Sequence, residues 1–160
     1  MKKVCTIMSN LREQFTADLK TAMKAGEKGK VAAIRLIQAA LKDKDIEARG
    51  AGKGEATADE ILALLQKMIK QRQESIAIYD ANGRPELADG ERAEVAVISA
   101  YLPKQMSDEE IKAAIEDVIA ETGASAVKDM GKVIGALRGA YAGQMDFAKV
   151  SPMVKQLLGG

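Results

Sequence analysis

The sequence predicts an all-α protein: an N-terminal antiparallel helical bundle followed by a small C-terminal three-helix subdomain. Three observations predict it. Apolar residues recur three and four apart through most of the chain, the spacing of one helix face, and no period-two alternation is long enough for a strand. Thr57 with Glu60 and Ser107 with Glu110 are capping boxes, each marking a helix start. Pro103 interrupts the pattern between two separate sets of apolar stripes. With 160 residues and 47% hydrophobic content, the chain can bury a core in one domain or in two small ones.

Residues 1–8 read as a flexible extension, and Met8 is a candidate start because Ser9 and Asn10 already resemble a helix cap. The first helix sets Leu11, Phe15, Leu19 and Met23 four apart and ends near Gly26 and Gly29. The second continues a face through Val31, Ile34, Ile37 or Leu41, and Ile46 until Gly50, Gly52 and Gly54. Thr57 caps the third, whose Ile61, Leu64, Leu65, Met68, Ile69 and Ile76 turn inward. Asn82-Gly83 ends it. Pro85 suits the first turn of the fourth, which presents Leu87, Val95, Ile98 and Leu102. Four helices on short turns, over residues 9–102, imply an antiparallel bundle.

Residues 103–106 form a hinge bordered by Tyr101 and Leu102 and built on Pro103 and Gln105. Residues 107–160 form the second subdomain. Ser107 opens a helix carrying Ile111, Ile115, Val118 and Ile119, closed at Thr122-Gly123. Two more helices are expected, around Lys128 to Arg138 and after Ser151-Pro152, where Val154, Leu157 and Leu158 pack inward.

Composition excludes several function classes. The 24 Lys and Arg nearly balance the 23 Asp and Glu, so any polyanion site is local. No apolar stretch approaches the roughly 20 residues of a bilayer span, Met1 to Ile7 is too short for a signal peptide, and a cytoplasmic protein without membrane contact is expected. The chain has no His, so triads with a His base and His-bound zinc are ruled out. Its one cysteine, Cys5, lacks a base and lies in the extension. Gly50-Ala51-Gly52-Lys53-Gly54 fails as a phosphate loop, because Glu47 holds the first-glycine position and Gly54 replaces Ser or Thr. Asp43, Asp45 and Glu47, like Asp59 and Glu60, read as solvated helix faces rather than magnesium ligands. No catalytic residue, metal or cofactor is expected.

Local charge is uneven. Residues 1–53 hold 12 basic and 6 acidic groups, residues 107–122 hold 1 and 6, and residues 123–160 hold 5 and 2. Lys128, Lys132, Arg138, Lys149 and Lys155 are candidate phosphate contacts. Aromatic content of 3% argues against recognition by base stacking. Gly131, Gly135, Gly139 and Gly143 recur every four residues, and interior helix glycines cost on the order of 1 kcal/mol each. Such a row implies close approach, either of another helix of this chain or of a partner's RNA or protein backbone. Alternatively, Gly139 and Gly143 lie in the loop before Asp146.

The segment Lys128-Asp129-Met130-Gly131-Lys132-Val133-Ile134-Gly135-Ala136-Leu137 resembles the signature helix of the GatB/YqeY family. Tyr101-Leu102-Pro103-Lys104-Gln105-Met106-Ser107 is similar to its hinge, and Thr122-Gly123-Ala124-Ser125 to the turn before the signature helix. Val150-Ser151 through Leu158 resembles the closing helix. Ile34-Arg35-Leu36-Ile37 with Ala39-Ala40-Leu41-Lys42 is similar to the second helix of free-standing members, so the resemblance spans about residues 8–158. It implies tRNA-associated work, because the same module ends the B subunit of the tRNA-dependent amidotransferase, a carbon–nitrogen ligase with glutamine as amide donor. The catalytic cradle of that subunit has no counterpart here, so the binding role carries over and the catalytic one does not. Two readings follow: a tRNA-binding accessory module, or a protein-interaction module of the aminoacyl-tRNA or amidotransferase machinery, acting through the hinge or the glycine face. The sequence leaves the oligomeric state open.

Overall fold

A computed structural model describes residues 11–159. The described residues form seven α-helices and no strand: α1 Leu11–Ala25, α2 Lys28–Gly50, α3 Ala58–Ala81, α4 Pro85–Ser99, α5 Asp108–Thr122, α6 Met130–Ala140 and α7 Phe147–Gly159. A 3₁₀ turn, Val127–Asp129, leads into α6. The described residues are thus all-helical, as the periodicity predicts. The extension, Cys5 and the Ser9–Asn10 cap lie outside the described residues.

Contacts divide the chain between Leu102 and Pro103 into two compact units. In the first, α3 packs chiefly on α4, and both α1 and α4 pack on α2. Phe15, Ile34, Ile37, Leu62, Leu65 and Ile98 are its most deeply buried side chains. In the second, α6 packs on α5 and α7 around Ile115, Val133, Leu137, Met145, Val150 and Val154.

Both capping boxes close as their chemistry requires. The Glu60 N–H donates to Thr57 Oγ1 (3.3 Å) while the Thr57 N–H donates to Glu60 Oε2 (2.8 Å). Ser107 and Glu110 exchange the equivalent bonds at 3.2 and 2.8 Å. Gly123 then ends α5 at φ +67°, a left-handed position that glycine occupies without strain.

Several stripes drift from their expected course. Residues four apart advance about 40° around a helix per step, so a stripe of four rotates off the core face. Leu11 and Phe15 are buried, Leu19 is half-buried, and Met23 is 54% exposed, with Ala22 taking the inward position. On α2, Ile46 is 56% exposed and Asp45 points inward instead. Gly29 lies within α2 rather than between helices. The last helix begins at Phe147, not at Ser151-Pro152: Asp146 Oδ1 accepts from the Ala148 N–H (3.0 Å), and Pro152 sits inside the helix. That proline lacks only the hydrogen bond to the Ala148 carbonyl, in a second turn anchored by buried Val150 and Val154.

Asp45 is the buried charged residue of the core, and it is not a solvated carboxylate. Arg12 of α1 grips it with two nitrogens, Nη1 to Oδ2 at 2.8 Å and Nη2 to Oδ1 at 2.7 Å. The Ala56 N–H donates to Oδ1 at 2.9 Å, and the Ala56 carbonyl accepts from Arg12 Nη2 at 3.1 Å. The Arg12 hydrogen bonds, then the Ala56 N–H, hold the Asp45 carboxyl at about 2, below its ordinary 3.8. A depressed folded-state value stabilises above the unfolded value, and that stabilisation is lost as pH falls from about 4 toward 2. Asp45→Ala should lower unfolding free energy at pH 7 by about 2 to 3 kcal/mol, because it strands a half-buried guanidinium and a buried N–H. Urea denaturation of wild type and Asp45→Asn at pH 7, 4 and 2.5 should show wild type losing more stability on acidification. Parallel losses would contradict this role.

Candidate functional site

The helix α6 is built around a narrow apolar stripe. Val133 and Leu137 are buried, and Met130 and Ile134 flank them half-buried. The Asp129 carboxylate fixes its entry by accepting from the Ser125 N–H (3.1 Å) and the Ala126 N–H (3.3 Å). Those donors, Ser125 first, pull the Asp129 carboxyl below its usual range. One helical turn is about 3.6 residues, so the face opposite Val133 and Leu137 falls on Gly131, Gly135 and Gly139, with Lys132 on one edge and Arg138 on the other.

All three glycines are exposed, and a Cβ built on any of them meets nothing within 4 Å. Among the described residues no helix packs on the row, so of the two close-approach readings the intramolecular one finds no support there. Gly139 lies inside α6. Gly143 leaves the row: at φ +74° it turns the chain between α6 and α7.

The five candidate cations differ in what holds them. Lys128 sits in the 3₁₀ turn, next to Asp129, and is exposed. Lys132 Nζ donates to the Thr122 carbonyl (3.3 Å) and so caps the C-terminal end of α5. Arg138 stacks over Phe147 with 5.2 Å from guanidinium carbon to ring centroid. Lys149 Nζ meets Asp108 Oδ1 at 3.0 Å, an exposed pair of the kind that contributes about 1 kcal/mol or less. Lys155 is exposed on α7. Lys128, Lys132 and Arg138 therefore surround the glycine face, while Lys149 and Lys155 belong to α7.

The expected hinge is docked at both ends. Tyr101 is buried, its ring edge-on to Phe15 at 4.8 Å and its hydroxyl donating to Asp18 Oδ2 at 2.6 Å. Burial and then the Asp18 carboxylate push the phenol well above its usual range. Leu102 packs partly buried against the same core. Gln105 Nε2 donates to the Pro103 carbonyl (3.0 Å) and the Gly143 carbonyl (2.6 Å), and the Met106 N–H donates to the Gln144 carbonyl (2.9 Å). Among the described residues, no cluster of three or more Cys, Asp or Glu could hold a metal ion.

A family model described as YqeY-like protein matches residues 12–158. The chain belongs to the YqeY-like family. The relation to the amidotransferase subunit is a resemblance at family level. Curated relatives named "Altered inheritance of mitochondria protein 41, mitochondrial" match this YqeY-like chain. The one from Vanderwaltozyma polyspora is 31% identical over 119 residues, 71% of this chain and 63% of the relative. The one from Pyrenophora tritici-repentis is 30% identical over 152 residues, 91% and 80% respectively. The Candida glabrata protein is 34% identical over 99 residues, covering 61% of this chain and 52% of its own length. These mitochondrial names overturn the expectation of a cytoplasmic protein. That expectation rests on the lack of an apolar span, which an aqueous compartment on either side of a membrane satisfies equally. No described helix is long and apolar enough to cross a membrane.

The open space beside the glycine row has a measurable consequence. Gly135→Ala adds a methyl group at an exposed helical position with ordinary φ, so it should raise stability by about 0.5 to 1 kcal/mol. Thermal melting of Gly131→Ala and Gly135→Ala checks this. A loss of stability in both would mean that the helix backbone is closed to a side chain.

Proposed function

We propose that this YqeY-like protein is a tRNA-binding accessory module, without a catalytic centre of its own, that contacts the phosphate backbone with the outer face of α6. The supporting observation is a line of exposed backbone at Gly131, Gly135 and Gly139 bordered by Lys128, Lys132 and Arg138. Without side chains, the helix surface lets a ribose-phosphate chain lie close to the peptide groups, and the bordering cations neutralise it. Lys149 joins the surface by exchanging its exposed bond to Asp108 for a phosphate, and Lys155 extends it along α7. The proposed link to amidotransferase chemistry has the family resemblance as its support, and in this reading the module works beside tRNA-processing enzymes.

The carrier of this surface is an N-terminal antiparallel helical bundle, residues 9–102, joined at residues 103–106 to a three-helix subdomain, residues 107–160. Tyr101 and Leu102 anchor one side of the junction and Gln105 and Met106 the other, leaving Pro103-Lys104 as the point of flexure. Trypsin should therefore cut first after exposed Lys104 and release two folded fragments. Early cleavage within α3 would overturn this division.

Filter binding or fluorescence anisotropy with unfractionated tRNA at several salt concentrations tests the function. Lys128→Ala with Lys132→Ala should weaken binding similarly for different tRNA sequences and flatten the salt slope by about 1 to 2 units. Gly135→Leu should weaken binding while leaving the melting temperature unchanged or higher. If wild type and double variant share the same negligible affinity, the RNA reading fails and the glycine face passes to a protein partner.

A further inference from the structure

The glycines of α6 face open space, but Gly159, at the end of α7, does not. A Cβ built on Gly159 would stand 2.5 Å from Val127 Cγ2 and 4.0 Å from Val127 Cβ, the first distance far inside van der Waals contact. Gly159 therefore lets the end of α7 close on the turn Val127–Asp129 where a side chain would force one of them to move. Both sides of the contact are held. Val127 is β-branched, so its χ1 has few favourable settings, and Cγ2 has no longer stem on which to swing away. On α7, Val150, Val154 and Leu158 are buried at steps of four, which pins the helix to the core of the second unit up to the residue before Gly159.

The turn that Gly159 meets is the entry to α6. The Val127 carbonyl accepts from the Met130 N–H, the Ala126 carbonyl accepts from the Asp129 N–H at 2.9 Å, and the Ser125 and Ala126 N–H groups donate to the Asp129 carboxylate. Exposed Lys128 lies between Val127 and Asp129. Its backbone is thus fixed from both sides, through Val127 by α7 and through Asp129 by the preceding loop. A lysine carries its ammonium on a flexible four-carbon stem, so the position of its backbone sets which charge it can reach.

We propose that Gly159 is a positioning residue for Lys128: the closure of α7 on Val127 fixes the turn from which Lys128 reaches the RNA backbone. That Lys128 meets phosphate rests on the tRNA-binding reading above; that Gly159 holds the turn does not.

Gly159→Ala in the full chain drives a methyl group against Val127 and displaces the turn. Amide hydrogen exchange followed by NMR should show Ser125, Ala126 and Met130 exchanging at least about threefold faster than in wild type, while Leu65 and Ile98 in the first unit keep their rates. Gly159→Ala with Val127→Ala removes the obstructing Cγ2 and should return those rates toward wild type. Unfractionated tRNA titrated at several salt concentrations reads the consequence. Gly159→Ala should weaken binding by about threefold to tenfold, flatten the salt slope by about 1 unit, as loss of one phosphate contact does, and cost nothing further in a Lys128→Ala background. The variant that also carries Val127→Ala should regain the affinity together with the exchange rates. A general loss of folding would weaken binding equally with and without Lys128, and Val127→Ala would not reverse it. Unchanged exchange in Gly159→Ala overturns the proposal, as does faster exchange with unchanged affinity for a tRNA that wild type binds, or a loss that persists in the Lys128→Ala background. If wild type shows no tRNA affinity, the tRNA reading fails and the phosphate role of Lys128 with it, and the exchange rates alone decide whether Gly159 holds the turn.

Discussion

The first unit depends on a carboxylate that cannot be left alone. Asp45 occupies a core position on α2, where an unpaired charge would cost several kcal/mol. Arg12 approaches from α1 and the Ala56 peptide from the segment leading into α3, so three stretches of chain meet on one group. The same bonds decide where the glycine-containing loop after α2 must end, because the Ala56 N–H has to return to Asp45 one residue before the Thr57 cap. A hydrophobic residue at position 45 could fill the volume, but it could not fix that return. The pair thus sets loop geometry as well as balancing its own desolvation.

Element type and polarity are legible where the signal is local. A Ser or Thr three residues before Glu satisfies specific backbone donors, and both boxes form wherever that pattern occurs with a following apolar run. Stripe identity is less legible, since a four-residue spacing drifts and the sequence does not say when the next turn takes over. Met23 and Ile46 are misread for this reason, and Asp45 is misread because, beside Asp43 and Glu47, it looks like part of a solvated face. Its partner is 33 positions away. Pro152 misleads in the opposite sense: proline suits a first turn, yet buried Val150 and Val154 hold the helix across it.

For the candidate site, the sequence reveals an anomaly and the structure gives its direction. Three glycines at helical spacing must be compensated by something, and in the structure they lie on the outward side of α6 with free space beside each. The charges around them are legible only as a list of cations. Which are engaged follows from tertiary contacts: Lys132 on the Thr122 carbonyl, Arg138 over Phe147, Lys149 on Asp108. Each such contact holds a cation near the glycine helix or on α7 in a defined place, and none removes its charge.

The groups with strongly shifted proton affinity serve the packing of the first unit. Catalytic sites perturb acids and bases inside clefts, where the shift serves the reaction. Here Asp45 is held low by an arginine clamp and Tyr101 is held high by burial against Phe15 and Asp18, and both shifts arise from contacts that join helices of the same core. The exposed cations of α2 and α6 instead sit on outward helix faces, away from both groups. On α6 the cations stand at the edges of a bare backbone, Lys132 on one side and Arg138 on the other, which is the arrangement the proposed phosphate contact requires.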